Sequence, residues 1–218
     1  MPNNEIFVTA VDKAYYIIKN SILNGELKPG EKLSKRKMAP MADVSVSPVL
    51  EALNRLTEDG IVETKPQWGS YVTVFTPEKI DDMYALREAI ECQEARILAK
   101  KMTEEQFEFG MVLATNLDNK KYGTNDINEI EETHLEFHST LAKFTGFPSL
   151  QNTLKRCNIM WLLATADLER KHYAELPEDW HRKLLKSFME RDPDKAEQCM
   201  REHVSDSYLR TRERFSKA

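Results

Sequence analysis

Four of the five histidines fall on the apolar stripes of three predicted helices in the C-terminal half: His134, His138, His181 and His203. Around the first pair the stripe runs Ile127, Ile130, His134, Phe137, His138, Leu141, Phe144, which is helical periodicity. His181 leads a stripe with Leu184, Leu185 and Phe188, and His203 follows Ala196, Cys199 and Met200. A lone histidine on such a stripe reads as a satisfied core residue. Four of them, two spaced i and i+4 so that both imidazoles share one helix face, read instead as a divalent transition-metal site inside a helical bundle. Imidazole donors suit zinc or nickel best, with copper and iron also compatible, and suit magnesium or calcium poorly. His172, in the polar run Glu169 to Tyr173, lies off the stripes and reads as surface.

These ligands need a bundle to hold them. From Pro77 onward the pattern is helical, with six helices expected at about 78–102, 104–120, 126–145, 149–170, 178–191 and 193–215. Breaks at Thr103, Gly123-Thr124-Asn125, Gly146-Phe147-Pro148, Leu176-Pro177 and Asp192-Pro193 separate them. Short connections between amphipathic helices imply antiparallel packing.

Before that bundle the pattern differs. A first helix is expected over about 6–24, closed by Gly25, and Lys28-Pro29-Gly30 makes a turn. Ser34 is placed to cap a short helix, and Ser45 to cap a third whose apolar positions are Val49, Leu53 and Leu56. Ile61 to Thr64 and Tyr71 to Val74 are β-rich runs joined by the turn Pro66-Gln67-Trp68-Gly69. Three helices followed by a two-stranded hairpin is the order of a winged helix-turn-helix. The expected fold is therefore mainly α, a winged helix-turn-helix over 1–76 and an antiparallel six-helix bundle with an internal metal site over 77–218.

Charge is divided between the two parts. Nine Lys/Arg and nine Asp/Glu balance up to Thr76, so the whole net charge of −5 falls on the bundle. That excludes a generally basic nucleic-acid coat but not a local DNA-binding face. Cys92, Cys157 and Cys199 are scattered and odd in number, which reads as buried thiols in a reducing compartment. No run of about 18 apolar residues and no signal-peptide pattern occurs, so a cytoplasmic, nucleoid-associated protein without a membrane partner is expected.

Several motifs, in order, resemble one family. Leu27 to Ser34, Val44 to Leu53, Leu56 to Gly60 and Gly69 to Val72 resemble the DNA-binding domain of GntR-type bacterial transcription regulators. Leu86 to Glu91, His134-Leu135-Glu136-Phe137-His138, Trp180-His181-Arg182 and Arg201-Glu202-His203 resemble the ligand-binding (FCD) bundle of its FadR subfamily. Six bundle helices instead of seven place it nearer the VanR-like branch. The resemblance implies a ligand-responsive, homodimeric transcription regulator on a pseudo-palindromic double-stranded operator. It also implies that a bundle metal helps to hold a small carboxylate effector, whose binding changes the spacing of the two DNA-reading heads.

Two departures from that family matter. Relatives usually carry arginines where this chain has Val46 and Leu50, and arginine reads guanine bidentately, which neither residue can do. The residues left for DNA are Ser34, Arg36, Ser45, Val46, Ser47, Arg55, Lys65, Gln67 and Gly69, with Trp68 in the wing. Lys32, Lys35 and Lys37 add phosphate contacts, which position without specifying. Pro40 is unusual because it removes a backbone donor late in a short helix. The second departure is His134, where relatives have Asp; a four-histidine shell leaves the metal's double charge intact, and an outward-swung His134 would leave three ligands.

An anionic effector also wants a fixed cation, and a guanidinium offers a planar two-donor fork. Arg87, between Met83 and Ile90, is the candidate, against an ion pair with Glu91 or Glu94; Asn158 and Thr165 are candidates to line the same cavity. Other readings stay open: a metal-dependent enzyme, a metal-sensing regulator, or a helical interaction module without DNA binding. Against the enzyme, no general base stands beside the ligands, since Glu136 is two residues from His134 and points elsewhere on its helix.

Overall fold

The structure is a computed structural model that describes residues 9–123, 127–165 and 177–216. The chain divides into two compact units, Met1–Phe75 and Thr76–Ala218.

In the first unit, α1 (Ala10–Leu23) is capped by the Thr9 hydroxyl, which accepts from the Asp12 N–H at 3.1 Å. The segment before residue 9, where that helix was expected to begin, lies outside the described residues. α2 (Lys35–Ala42) and α3 (Val46–Glu58) follow. Met38 from α2, Ile18 and Ile22 from α1, and Val49, Leu53 and Leu56 from α3 fill one core. The α3 positions recur every three or four residues, so burying them turns Val46, Ser47, Leu50, Glu51 and Asn54 outward.

Pro40 is absorbed by the way α2 ends. Asp43 takes the left-handed conformation (φ 49°), its N–H bonds the Pro40 carbonyl at 3.2 Å, and the Val44 N–H bonds Ala39 at 3.1 Å. This paired closure usually uses glycine. Here the Lys13 ammonium holds the Asp43 carboxylate at 2.8 Å.

β2 (Val62–Lys65) and β3 (Gly69–Val72) form the predicted antiparallel hairpin. Gln67 (φ 66°) and Gly69 (φ 101°) carry the turn between them, and only glycine adopts the second angle without strain. A short strand that the periodicity did not reveal, β1 (Lys32–Leu33), pairs with β3 and makes a three-stranded sheet of order β1-β3-β2. Two residues are too few for an alternation to register in a sequence. Ser34 and Ser45 stand at the N-cap positions of α2 and α3, but neither hydroxyl caps its helix. Both are exposed instead.

The second unit contains, among the described residues, six helices: α4 (Pro77–Lys101), α5 (Glu104–Gly123), α6 (Ile127–Phe144), α7 (Pro148–Thr165), α8 (Trp180–Met189) and α9 (Pro193–Ser216). Thr76 caps α4 and Pro77 opens it, while Thr103 and Gln106 cap α5 reciprocally at 3.1 and 3.2 Å. Residues 166–170, assigned from sequence to the fourth bundle helix, and His172 lie outside the described residues.

α4 and α9 pack along each other, tied by Tyr84, whose hydroxyl is 2.8 Å from both Ser207 Oγ and Thr211 Oγ1. Arg201 on α9 also reaches Glu88 on α4. α5 packs on α6 and α8. Gly110 allows the second contact, since a Cβ there would stand 3.1 Å from Leu185 Cδ2. That close approach of α5 to α8 positions the site, because each helix carries one of its groups. No helix among the described residues is long and apolar enough to cross a membrane.

Candidate functional site

The bundle brings the four histidines of the sequence analysis together. His134 and His138 come from α6, His181 from α8 and His203 from α9; all four are buried, and their nearest ligand atoms lie within 4.8 Å of one another. His138 Nε2 stands 3.2 Å from His134 Nε2 and 3.2 Å from His203 Nε2. Ligands about 2.1 Å from one ion are separated by roughly 3.0–3.4 Å along an octahedral or tetrahedral edge, so both separations match a shared metal.

Carboxylates fix which nitrogen of two histidines faces inward. Glu91 on α4 lies 2.8 Å from His138 Nδ1, and Asp118 on α5 lies 2.8 Å from His181 Nδ1. Burial raises the Glu91 pKa, but Arg87 and then His138 outweigh it and hold it at about 2. An ionised carboxylate only accepts, so His138 carries its proton on Nδ1 and presents the Nε2 lone pair to the other rings. Each 3.2 Å contact then requires either an Nε2–H donated by His134 or His203 or a cation shared between the rings.

His134 is held neutral. Burial, then the charges of His138, His181, His203 and Arg87, push its pKa well below the usual histidine range. A neutral imidazole is the form that ligates. The His134 ring lies tilted against Trp161 of α7 (4.8 Å between centroids), and Trp180 stacks on His203 at 5.6 Å. Every described bundle helix therefore contributes to the site. A cleft lined by Trp180, Lys183, Leu184, Cys199, Glu202 and His203 reaches the cluster at His203.

Asp118 serves two structural roles. Besides His181 Nδ1 it accepts from the backbone N–H groups of His181 and Arg182, each at 3.2 Å, and from Arg182 Nε at 3.1 Å. It thus caps the first turn of α8, where Asp179 makes no side-chain cap, while aiming the His181 ring. Asp118→Asn is expected to weaken metal binding about 10- to 100-fold with the fold retained, a loss that competition with a chromophoric chelator measures.

Arg87 is buried (1% exposed), stacks near Tyr84 and Trp161 (5.1 and 5.8 Å), and donates through Nε to Glu91 at 2.8 Å. The ion-pair reading is thus realised, and it links Arg87 through Glu91 to His138. Arg87 Nη1 and Asn158 Nδ2 are nevertheless buried without a partner among the described residues. Asn158 lies one turn before Trp161 on α7, whereas the Thr165 side chain lies outside the described residues. Glu94, considered from sequence as a partner for Arg87, is buried with Oε1 unpartnered.

The first unit presents its candidates separately. Ser34, Arg36, Ser45, Val46, Ser47, Lys65, Gln67 and Gly69 are all exposed. Arg55 departs from expectation: it is half-buried, pairs with Asp12 at 2.8 Å and lies 4.5 Å over the Tyr15 ring, bracing α1 on α3. Lys37 is bonded to Glu31 at 2.7 Å. The partner of Arg55 comes from a distant helix, which local periodicity does not report.

Residues 10–72 match the bacterial regulatory proteins of the gntR family, and residues 82–206 match the FCD domain. The chain belongs to the GntR family, with an FCD domain following its helix-turn-helix. The regulator is 28% identical over 200 residues to the HTH-type transcriptional repressor RspR of Escherichia coli (strain K12), covering 88% of this chain and 84% of that one. It is 26% identical to the HTH-type transcriptional regulator YdhC of Bacillus subtilis (strain 168), covering 88% and 86%. Its fold is that of E. coli McbR/YncC (TM-score 0.71, 18% identity, 93% and 99% covered). A GntR regulator of Rhodococcus sp. RHA1 is equally similar (TM-score 0.73, 20% identity, 92% and 96% covered). This membership makes the regulator a DNA-binding transcription factor and not an enzyme. The histidine cluster is then a place where a regulatory domain could hold a metal.

Glu91 was weighed from sequence only as a partner of Arg87, at i+4, and its bond to His138 crosses between helices. Asp118 had no signal, because it stands 63 residues from the histidine it orients.

Proposed function

We propose that the regulator is a homodimeric repressor whose operator affinity is set by a small organic carboxylate bound at a divalent transition metal on His134, His138, His181 and His203. The observation that carries this reading is the convergence of imidazole nitrogens beside a buried guanidinium that still has a donor to offer. When bound, the metal supplies an electrophilic centre for a carboxylate oxygen. Zinc or nickel would suit the four imidazoles of His134, His138, His181 and His203.

Charge sets the effector class. Glu91 offsets Arg87, Asp118 offsets Arg182, and four neutral imidazoles leave the double charge of the ion uncompensated. A dicarboxylate or hydroxycarboxylate neutralises it best. Arg87 Nη1 and Asn158 Nδ2 are the donors we assign to its oxygens. Capturing the effector at Arg87 pulls on Glu91 and hence on the ring of His138, which gives the site a link to the bundle's helix packing. Repression follows the naming of the relative RspR.

Arg87→Ala is expected to weaken the operator's response to an organic acid at least tenfold. Operator affinity without the acid stays within about twofold; fluorescence anisotropy measures both. The wider test is selection of genomic fragments by the purified, metal-loaded protein at fixed moderate salt. Fragments sharing a short inverted repeat support a dimeric operator-binding regulator. Retained metal with no response to any organic acid would instead favour a metal-sensing regulator, a reading to which the four-ligand shell is suited because it can close around zinc alone.

A further inference from the structure

The exposed face of α3, the second helix of the helix-turn-helix, contradicts the usual chemistry of such a helix. Its outward residues are Ser45 at the cap, then Val46, Ser47, Leu50, Glu51 and Asn54. Val46 is 47% exposed and Leu50 43% exposed, although both are aliphatic. No cation shares that face: Arg55 is the one basic residue of α3, and Asp12 holds it. Cations flank the helix instead, with Lys35 and Arg36 on α2 and Lys65 on the wing, all exposed.

We propose that α3 reads its half-site through thymine C5-methyl groups, by contacts from Val46 and Leu50, so that the operator core is A·T-rich and carries no guanine read bidentately from this helix. This rests on the operator-binding reading above. The recognition helix of a helix-turn-helix puts its N-terminal residues against base edges in the major groove, where Val46 and Leu50 stand. Guanine offers only acceptors there, and its bidentate readers, arginine and lysine, are missing from this face; Glu51 would repel those acceptors. Thymine alone offers an apolar group to an aliphatic side chain, and Asn54 is suited to the N6/N7 edge of adenine.

Four helical residues advance about 6 Å, close to two base-pair steps of about 3.4 Å. The two methyls are therefore about two base pairs apart. Ser45 and Ser47 keep hydroxyls for neighbouring polar edges or phosphates, and for Ser45 the structure supplies a reason, since it makes no cap. The flanking cations supply the salt-dependent attraction that holds this face in the groove.

The test uses the full-length, metal-loaded protein and a library of random duplexes at fixed salt. The recovered site is then resynthesised with each thymine replaced in turn by deoxyuridine, which removes only the methyl. Two positions per half-site, about two base pairs apart, are expected to lose about fourfold in affinity, the ratio that follows from burying one methyl-sized group. In Leu50→Ala, an exposed and structurally tolerant change, one of these positions becomes indifferent to the methyl while the other still responds. A selected motif that requires guanine and ignores deoxyuridine overturns the methyl reading and leaves operator binding intact. Failure to select any motif overturns both.

Discussion

His138→Ala is expected to abolish stable metal binding, lowering affinity at least 100-fold. His138 is the central histidine of the set, with its Nε2 3.2 Å from those of two other histidines and its Nδ1 held by Glu91. Removing it deletes one ligand and leaves Glu91 facing Arg87 alone. In the parent protein, metal at 100 times its dissociation constant should stabilise the fold by about 2.7 kcal/mol. In the variant the melting temperature should not respond to added zinc or nickel. Elemental analysis after dialysis and paired melts check both statements. His134→Ala separates the shells: with four ligands it also loses metal, about 10- to 100-fold, whereas a three-histidine shell is indifferent to it.

The second large effect belongs to Glu94, whose carboxyl lies in the same interior without a role in holding the histidines. Burial first, and the neighbouring Glu91 second, raise its pKa to about 9. An unfolded glutamate ionises near 4.3. Between these values the folded protein keeps a proton that the unfolded chain has released, so stability falls as pH rises, by up to about 1.4 kcal/mol per unit, and levels off above the folded value. A bound dication shortens this window from above, because its charge favours the carboxylate. Glu94→Gln removes the titration. Metal-free, it should be more stable than the parent at pH 8 by about 5 kcal/mol and nearly equal to it at pH 4.5. Urea melts at the two pH values measure this, and an equal difference at both would refute the assignment.

Glu91 shows why neighbouring carboxylates behave oppositely in one core. It has Arg87 at 2.8 Å and His138 at 2.8 Å, while Glu94 has an unpartnered oxygen. A buried ion pair adds little net stability over an apolar core, but breaking it is costly because one charge is left behind. The Arg87–Glu91 pair is retained here with one guanidinium donor spare, the arrangement expected of a group kept for a ligand.

The sequence carried the architecture well where periodicity was long. The helices that hold the histidines, and the stripe that runs from Ile130 through His138 to Leu141, were readable because burial repeats every three or four residues. Breaks at proline and glycine set their ends within a few residues. What escaped was short or long-range. The two-residue strand Lys32–Leu33 exists because β3 offers it an edge. Asp118 orients His181 from another helix, and Asp12 takes Arg55 away from the surface from 43 residues earlier. Ser34 and Ser45 were placed correctly at helix starts, yet their hydroxyls do not cap, since residue type reports the position and not the bond.

The most direct measurement is the operator dissociation constant of the purified regulator, metal-loaded and metal-free, over a series of small di- and hydroxycarboxylates at one salt concentration. At least one acid should change operator affinity tenfold or more in the metal-loaded protein, chelation should remove the response, and Arg87→Ala should blunt it. An equal response from the metal-free protein would place the effector away from the four histidines and refute a metal-held carboxylate.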